Sequence, residues 1–342
     1  MEPAQPRRRA TLRDVARLAA VSPKTVSRVV NHEPGVTAAK VAAVTAAIDQ
    51  LGYRPNVTAS ALRRANGRTA TIGAVLEDVA NPFSSALHRA MEDVARARGV
   101  SILSGSVDED PARERALIST FFGRQIDGLV IAAASDNQAY LTTEMLGGTP
   151  VVFVDRPPIG VRADAVLIDN RAGARQAVEH LIAAGHRAIG YVGDLRSIAT
   201  AQDRLQGYRD ALAGAGIRPD PGHVVEDRHT EDAAERAVHR LLDGQAPPTA
   251  LFTAQNLVTI GAIRALRARG RQRSVALVGF DDFPLADLLE PGVTVVAQDP
   301  SAMGALAASL IFRRLDGEVW PPVVHTIPTR LIPRGSGEIR PG

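Results

Sequence analysis

The sequence predicts an all-α helix-turn-helix head followed by an α/β body of two doubly wound parallel-sheet lobes joined by crossover strands. Three observations carry that prediction. Basic charge crowds the start of the chain: residues 1–68 hold twelve Lys or Arg against four Asp or Glu, a net +8, whereas the remainder holds 28 against 33, a net −5. Within residues 11–52, apolar side chains recur at helical spacing behind capping residues. From Thr71 onward, short β-branched runs alternate with longer amphipathic stretches, the rhythm of βα units. A chain of 342 residues is long enough for one small domain and one larger, lobed one.

In the head, Thr11 and Asp14 stand as a capping box, and Leu12, Val15, Ala16 and Ala19 then share a helix face. Ser22 is placed to cap a second helix, with Pro23 at its first position, where a missing N–H is harmless. Val26, Val29 and Val30 face inward. Lys24, Ser27, Arg28 and Asn31 line the opposite face, a row of donors and hydroxyls suited to base edges in a major groove. Thr37 as cap, Val41, Val44, Ile48 and Leu51 on one face, and Gly52 as stop describe a third helix. A basic head on an acidic body fits a polyanion met by the head alone. A membrane surface fits poorly, because no helix here carries a continuous bulky apolar face with Trp or Phe.

In the body, buried strands are expected to begin near Thr71, Val100, Gly128 and Val151, with helices from about Phe83 and Pro111 between them. A second series has strands near Ala165, Ala188, Ala250 and Val275 and helices near Arg171, Arg204, Glu231 and Leu257. The expected division is a head over 1–54, a hinge helix and linker over 55–69, a first lobe over 70–161 and 293–321, a second lobe over 162–292 and 322–334, and a tail over 335–342. Ligands bind at the carboxyl ends of such strands, so two facing lobes make a cleft that closes like a hinge. Periplasmic sugar-binding proteins share this plan.

Several classes are excluded. The chain has no cysteine, hence no disulfide scaffold or thiol nucleophile. No run approaches the roughly 18 apolar residues of a membrane helix, and no apolar core follows Arg7, Arg8 and Arg9 as a signal peptide would require. The expected location is cytoplasmic. There is no phosphate-binding glycine loop, and the only lysines, Lys24 and Lys40, lie in the head. The histidines lack metal spacing, and Ser336 has no nucleophile elbow around it. Neither catalysis, nor a cofactor, nor a metal is expected.

The stretches Thr11-Leu12-Arg13-Asp14-Val15-Ala16, Val21-Ser22-Pro23-Lys24-Thr25-Val26-Ser27-Arg28-Val29-Val30-Asn31 and Leu51-Gly52-Tyr53-Arg54-Pro55-Asn56 resemble the head of the lactose-repressor (LacI/GalR) family. The resemblance implies that Pro23 and Lys24 select operator bases and that Arg28 contacts a guanine. It also implies that Thr11, Ser22, Thr25 and Asn31 hold phosphates, with Leu12 and Ser27 beside them. The chemistry agrees, since Pro offers only apolar contact and the specific burden falls on Arg28 and Lys24. Residues 55–64 resemble the family's hinge helix, which folds on the operator and pairs with its dimer mate in the minor groove. Asn56 and Ala59 would then touch DNA, and Leu62 would be the wedge that unstacks the central step.

The resemblance extends over the body through Asn81-Pro82-Phe83, Val154-Asp155-Arg156, Ile168-Asp169-Asn170, Gly185-His186-Arg187, Arg204 with Gly207, and Gly279-Phe280-Asp281-Asp282. It implies that Arg204 grips an effector, Asp281 accepts from its hydroxyls and Phe83 lies against its apolar face, with Ser84, Asp155, His229 and Gln255 completing the site. Gln255-Asn256 stands where the family often has Asn-Asp, and His229 stands where many members place a stacking aromatic, which introduces pH sensitivity. The expectation is a transcriptional repressor that binds palindromic operator DNA as a homodimer and is controlled by a small polar effector held between the lobes, a carbohydrate first and a nucleoside or another polar metabolite second.

Overall fold

The structure is a computed structural model that describes residues 10–30, 33–54 and 68–342. It divides into two compact units, one ending at Thr69 and one running from Ala70 to Gly342.

The first unit holds α1 (Leu12–Leu18), α2 (Pro23–Val30) and α3 (Ala38–Leu51). Thr11 and Asp14 cap α1 reciprocally: Thr11 Oγ1 accepts from Asp14 N at 3.3 Å, and the Asp14 carboxylate accepts from Thr11 N at 2.9 Å. Ser22 Oγ accepts from Thr25 N at 3.1 Å at the start of α2, a bond of a kind worth about 1 kcal/mol. Val15, Ala16, Val26, Val44 and Ala47 form the buried core. Two expectations for α3 change. Thr37 makes no side-chain capping bond, and Val41 and Leu51 are 39% and 36% exposed, so Val44 and Ala47 carry the contact instead. At 14 residues α3 is longer than the 7 and 8 residues of its neighbours. At 1.5 Å per residue its two ends overhang the shared core.

The second unit contains two six-stranded sheets. In chain order its elements are β1 (Thr71–Leu76), α4 (Pro82–Ala97), β2 (Ser101–Ser106), α5 (Pro111–Gly123), β3 (Gly128–Ile131), α6 (Thr142–Leu146), β4 (Val151–Val154), β5 (Asp164–Ile168), α7 (Asn170–Ala183), β6 (Ile189–Val192), α8 (Ala199–Gly214), β7 (Val224–Val225), α9 (Glu231–Leu242), β8 (Ala250–Thr253), α10 (Asn256–Ala268), β9 (Ala276–Phe280), β10 (Thr294–Ala297), α11 (Pro300–Leu315), β11 (Val324–Ile327) and β12 (Arg330–Ile332). The first sheet runs β11-β5-β4-β3-β1-β2 and the second β12-β10-β9-β8-β6-β7, parallel throughout except where β12 runs against β10.

This order corrects the expected lobe boundaries. β5, assigned by sequence to the second lobe (162–292), pairs with β4 and β11 in the first sheet, so β11 belongs there too rather than in the second lobe's 322–334. β10, placed with the first lobe's 293–321, pairs with β9 in the second sheet. A buried carboxylate helps explain β5: Asp164 accepts from Arg314 at 2.7 Å, Trp320 Nε1 at 3.1 Å and Val323 N at 2.9 Å, tying the strand to α11 and to the approach to β11. The chain therefore crosses between lobes at 168–170, 297–300 and 327–330. Residues 335–342, expected as a tail, are stitched to the second lobe. There Ser336 Oγ donates to Leu277 O at 2.6 Å and accepts from Thr294 N at 2.9 Å.

Helices cover both sheets at close range. On α8, Gly207 lies against the Arg171 carbonyl of α7, and on α11, Gly304 lies against the Leu87 carbonyl of α4; a Cβ at either position would overlap that oxygen. Only glycine permits these approaches, and they set the position of α8 and hence of Arg204.

Candidate functional site

The described residues expected to meet DNA lie on α2, at its cap and at the start of α1. Ser22, Pro23 and Lys24 are exposed, while Thr25, Ser27, Arg28, Thr11 and Leu12 are half-buried. The Ser22 and Thr25 hydroxyls are 2.9 Å apart and also serve the cap, and Leu12 packs against the core of the head. Arg28 donates from Nη2 to the Pro34 carbonyl, and its Nε lies 3.6 Å from the Glu33 carboxylate. Reading a base thus requires Arg28 to exchange an exposed partner, which costs at most about 1 kcal/mol. Asn31, Asn56, Ala59 and Leu62 lie outside the described residues.

In the second unit, Phe83, Ser84, Asp155, Arg204, His229, Gln255 and Asp281 all line one cavity between the lobes. Each follows a strand's carboxyl end or sits in the first two turns of a helix that does. Asn81 caps α4 by accepting from Phe83 N at 3.0 Å, which sets Phe83 and Ser84 over the cavity. Asp155 and Asp281 occupy matching places, immediately after β4 and β9, with φ of +67° and +68°. Such backbone angles cost energy for any residue with a Cβ and are tolerated best by Asn and Asp.

Arg204 is held by four neighbours. Its Nε donates to Asn170 Oδ1 at 2.8 Å, and its Nη1 donates to Ala254 O at 2.7 Å and reaches Asp281 at 3.4 Å; the guanidinium carbon lies 3.9 Å from the centroid of the Phe280 ring. Gln298, on the crossing from β10 to α11, donates from Nε2 to the other oxygen of Asp281 at 2.6 Å. Asp281 is therefore aimed from two directions and keeps acceptor capacity for a hydroxyl. Gln255 is more constrained than expected: its Oε1 caps α10, accepting from Leu257 N at 2.6 Å and Val258 N at 3.1 Å, which leaves mainly its amide nitrogen, 3.4 Å from Asp194, for other work.

Two contacts join the lobes across the cavity. Asn81 and Asn256 exchange amide hydrogen bonds at 2.8 and 3.3 Å. His229 Nδ1 lies 2.7 Å from Asp194 in its own lobe, and its Nε2 lies 3.4 Å from Glu77 in the other. Hydrogen bonding to Asp194 and then to Glu77 pushes the His229 pKa up to about 10 despite burial. Because the shift is upward, the stabilisation it brings is complete below the ordinary value near 6.5 and is lost as pH rises through about 10. We expect the melting temperature to fall between pH 7 and pH 10.5, with the fall much reduced in His229→Asn; equal profiles by scanning calorimetry would contradict this role.

Glu77, Glu109, Arg156, Asp194 and Gln298, which are not among the expected site residues, also line the cavity. Each lies within a few residues of the end of β1, β2, β4, β6 or β10, so applying the strand-end rule to every strand would have flagged them. The lobes leave a volume of about 60 Å³ between them. Small-molecule pockets span roughly 300–1,000 Å³, so admitting a ligand requires the lobes to part about their crossings. Among the described residues, no cluster of His, Asp or Glu is arranged to hold a metal, and no helix is long and apolar enough to cross a membrane.

A helix-turn-helix unit followed by a two-lobed unit with a polar interlobe cavity defines a ligand-responsive DNA-binding regulator. Comparison with known proteins agrees. Residues 11–56 match the model for bacterial regulatory proteins of the lacI family, and residues 178–337 match that for a periplasmic binding protein-like domain. The transcriptional regulator GalR of Escherichia coli strain K12 is 35% identical over 329 residues, 96% of this chain and 95% of that protein. The chain is similar to the structure of the regulator CelR in complex with cellobiose, at 34% identity and a TM-score of 0.70, covering 96% of this chain and all of that one. It is also similar to the Lac repressor dimer bound to operator, at 26% identity and a TM-score of 0.82, covering 96% and 99%. The chain belongs to the LacI family of DNA-binding transcriptional regulators, a family of regulators and not of enzymes.

Proposed function

We propose that this regulator is a cytoplasmic repressor that binds a palindromic operator as a homodimer and changes its operator affinity when a carbohydrate occupies the interlobe cavity. The observation that carries the effector reading is the chain Arg204–Asp281–Gln298, which fixes a charged donor beside a two-oxygen acceptor at the crossing between lobes. Paired donors and acceptors of this kind suit vicinal hydroxyls, and Phe83 supplies an apolar surface for a sugar ring. The relatives support it: one is named for a complex with cellobiose and another for a dimer on operator DNA.

Mechanically, a ligand that favours one degree of lobe closure alters the spacing of two heads in a dimer. A coupling of about 1–3 kcal/mol gives a 5- to 150-fold change in operator affinity. Two heads joined in one molecule read two half-sites, which a single short helix with few base contacts cannot match in affinity.

The DNA half of the proposal rests on Arg28. Arg28→Ala is expected to weaken operator binding by about 1–3 kcal/mol and to relax selectivity at one base pair per half-site. Fluorescence anisotropy on operator variants checks this, and an equal loss on random DNA would mean that α2 is not the reading helix.

A further inference from the structure

We propose that the cavity accepts an uncharged polyhydroxylated ligand and rejects its phosphorylated or carboxylated forms, with Asp155 and Glu109 as the residues that set this selectivity. The inference rests on the reading above that the effector sits between the lobes. Its ground is the set of charges that face the space between the lobes. Five carboxylates line it, those of Glu77, Glu109, Asp155, Asp194 and Asp281, against the guanidiniums of Arg156 and Arg204 and the imidazole of His229.

The cations are already engaged. Arg156 forms a two-pronged pair with Glu109 at 2.7 and 2.5 Å and donates to Ala133 O at 2.9 Å. His229 has Asp194 on one nitrogen and Glu77 on the other. Arg204 faces Asp281. An incoming phosphate would therefore compete with a carboxylate already paired to each cation, and any carboxylate it displaced would be left buried and unpaired.

Asp155 tightens the exclusion. Its nearest cation contact is Arg156 Nε at 3.7 Å. Burial raises its pKa above the ordinary carboxylate range; Arg156 and Arg204 oppose that rise, and Asp281 and Glu109 reinforce it. The same surroundings that disfavour the charged form of Asp155 disfavour a ligand anion, and the five lining carboxylates outnumber the three cationic side chains by two. Hydroxyls meet no such penalty. Arg156 Nε and Gln298 Oε1 are buried without a hydrogen-bond partner, on two residues that line the cavity.

The test is isothermal titration of the full chain with D-galactose, D-glucose, D-ribose and cellobiose, and with galactose 6-phosphate, glucose 6-phosphate and ribose 5-phosphate. At least one uncharged sugar should bind, with its phosphorylated form at least about tenfold weaker. Asp155→Asn, in which the new side chain also tolerates a positive φ, should narrow that gap, as should Glu109→Gln by freeing Arg156. A phosphorylated sugar that binds as tightly as its parent, or a gap unchanged in both variants, would overturn the charge-based selectivity while leaving the cavity as the effector site. Failure of every sugar of either charge to bind would overturn the carbohydrate reading and this inference with it.

Discussion

Arg204→Ala is expected to destabilise the sensor unit by about 3–5 kcal/mol and to abolish the effector response. The residue is only 5% exposed, and its removal deprives three groups of a donor at once: Asn170 Oδ1, the Ala254 carbonyl and the Asp281 carboxylate. A buried charge that loses its counter-charge carries the full desolvation penalty, and here the lost guanidinium also covers the Phe280 ring. The melting temperature should drop by on the order of 10 °C. Because the head is a separate compact unit with its own core, its affinity for non-specific DNA should survive at temperatures where the sensor remains folded. Arg204→Lys should recover part of the stability but little of the response, since an ammonium cannot serve Asn170, Ala254 and Asp281 in the same geometry. Thermal unfolding alongside effector titration separates these outcomes. An unchanged melting temperature would mean that the Arg204 network carries no net stability.

Gly207→Ala is the second large effect, with an expected loss at the upper end of the roughly 1–3 kcal/mol of overpacked cores. The added methyl would overlap the Arg171 carbonyl oxygen and come within 2.9 Å of Ala174 Cβ and Arg175 N. Two of these neighbours are backbone atoms, so no side chain can swing away, and α7 and α8 must separate. Arg204 lies one turn earlier on α8, so effector affinity should fall together with stability. Gly214→Ala, on the same helix with nothing within 4 Å of the new Cβ, is the control and should not destabilise. If both variants melt alike, the close approach of the helices is not what Gly207 provides.

The head was legible in the sequence because its signals are local. Thr11 with Asp14, and Ser22 before Pro23, specify helix starts within four residues, and the structure shows those caps. The inner face of α3 was misjudged at Val41 and Leu51 because periodicity reports which residues share a face, not how far the partner helices extend along it. Sheet membership was illegible for a different reason. Asp164–Ile168, Thr294–Ala297 and Val324–Ile327 read as strands whichever sheet they join, and their placement depends on partners beyond any local window, such as Val324 for Ala165 and Trp320 for Asp164.

The cleft shows the same division. Residues named from family order converge on one cavity, but the sequence does not say which partners they already have. Gln255 looked available and is instead occupied as the cap of α10. Glu77 and Asp194 acquire meaning only when His229 is found between them, and Glu109 only when Arg156 is found against it. Long-range electrostatic pairing of this kind leaves no periodic or spaced signature in a chain. It decides how the site treats a charged ligand.

The central claim is that occupancy of the interlobe cavity controls DNA binding by the head. The most direct test is the affinity of the protein for its selected operator, measured by fluorescence anisotropy with and without a saturating uncharged sugar that binds the cavity. A 5- to 150-fold change that disappears in Arg204→Lys is expected. An operator affinity that does not move while the sugar is demonstrably bound would contradict the claim.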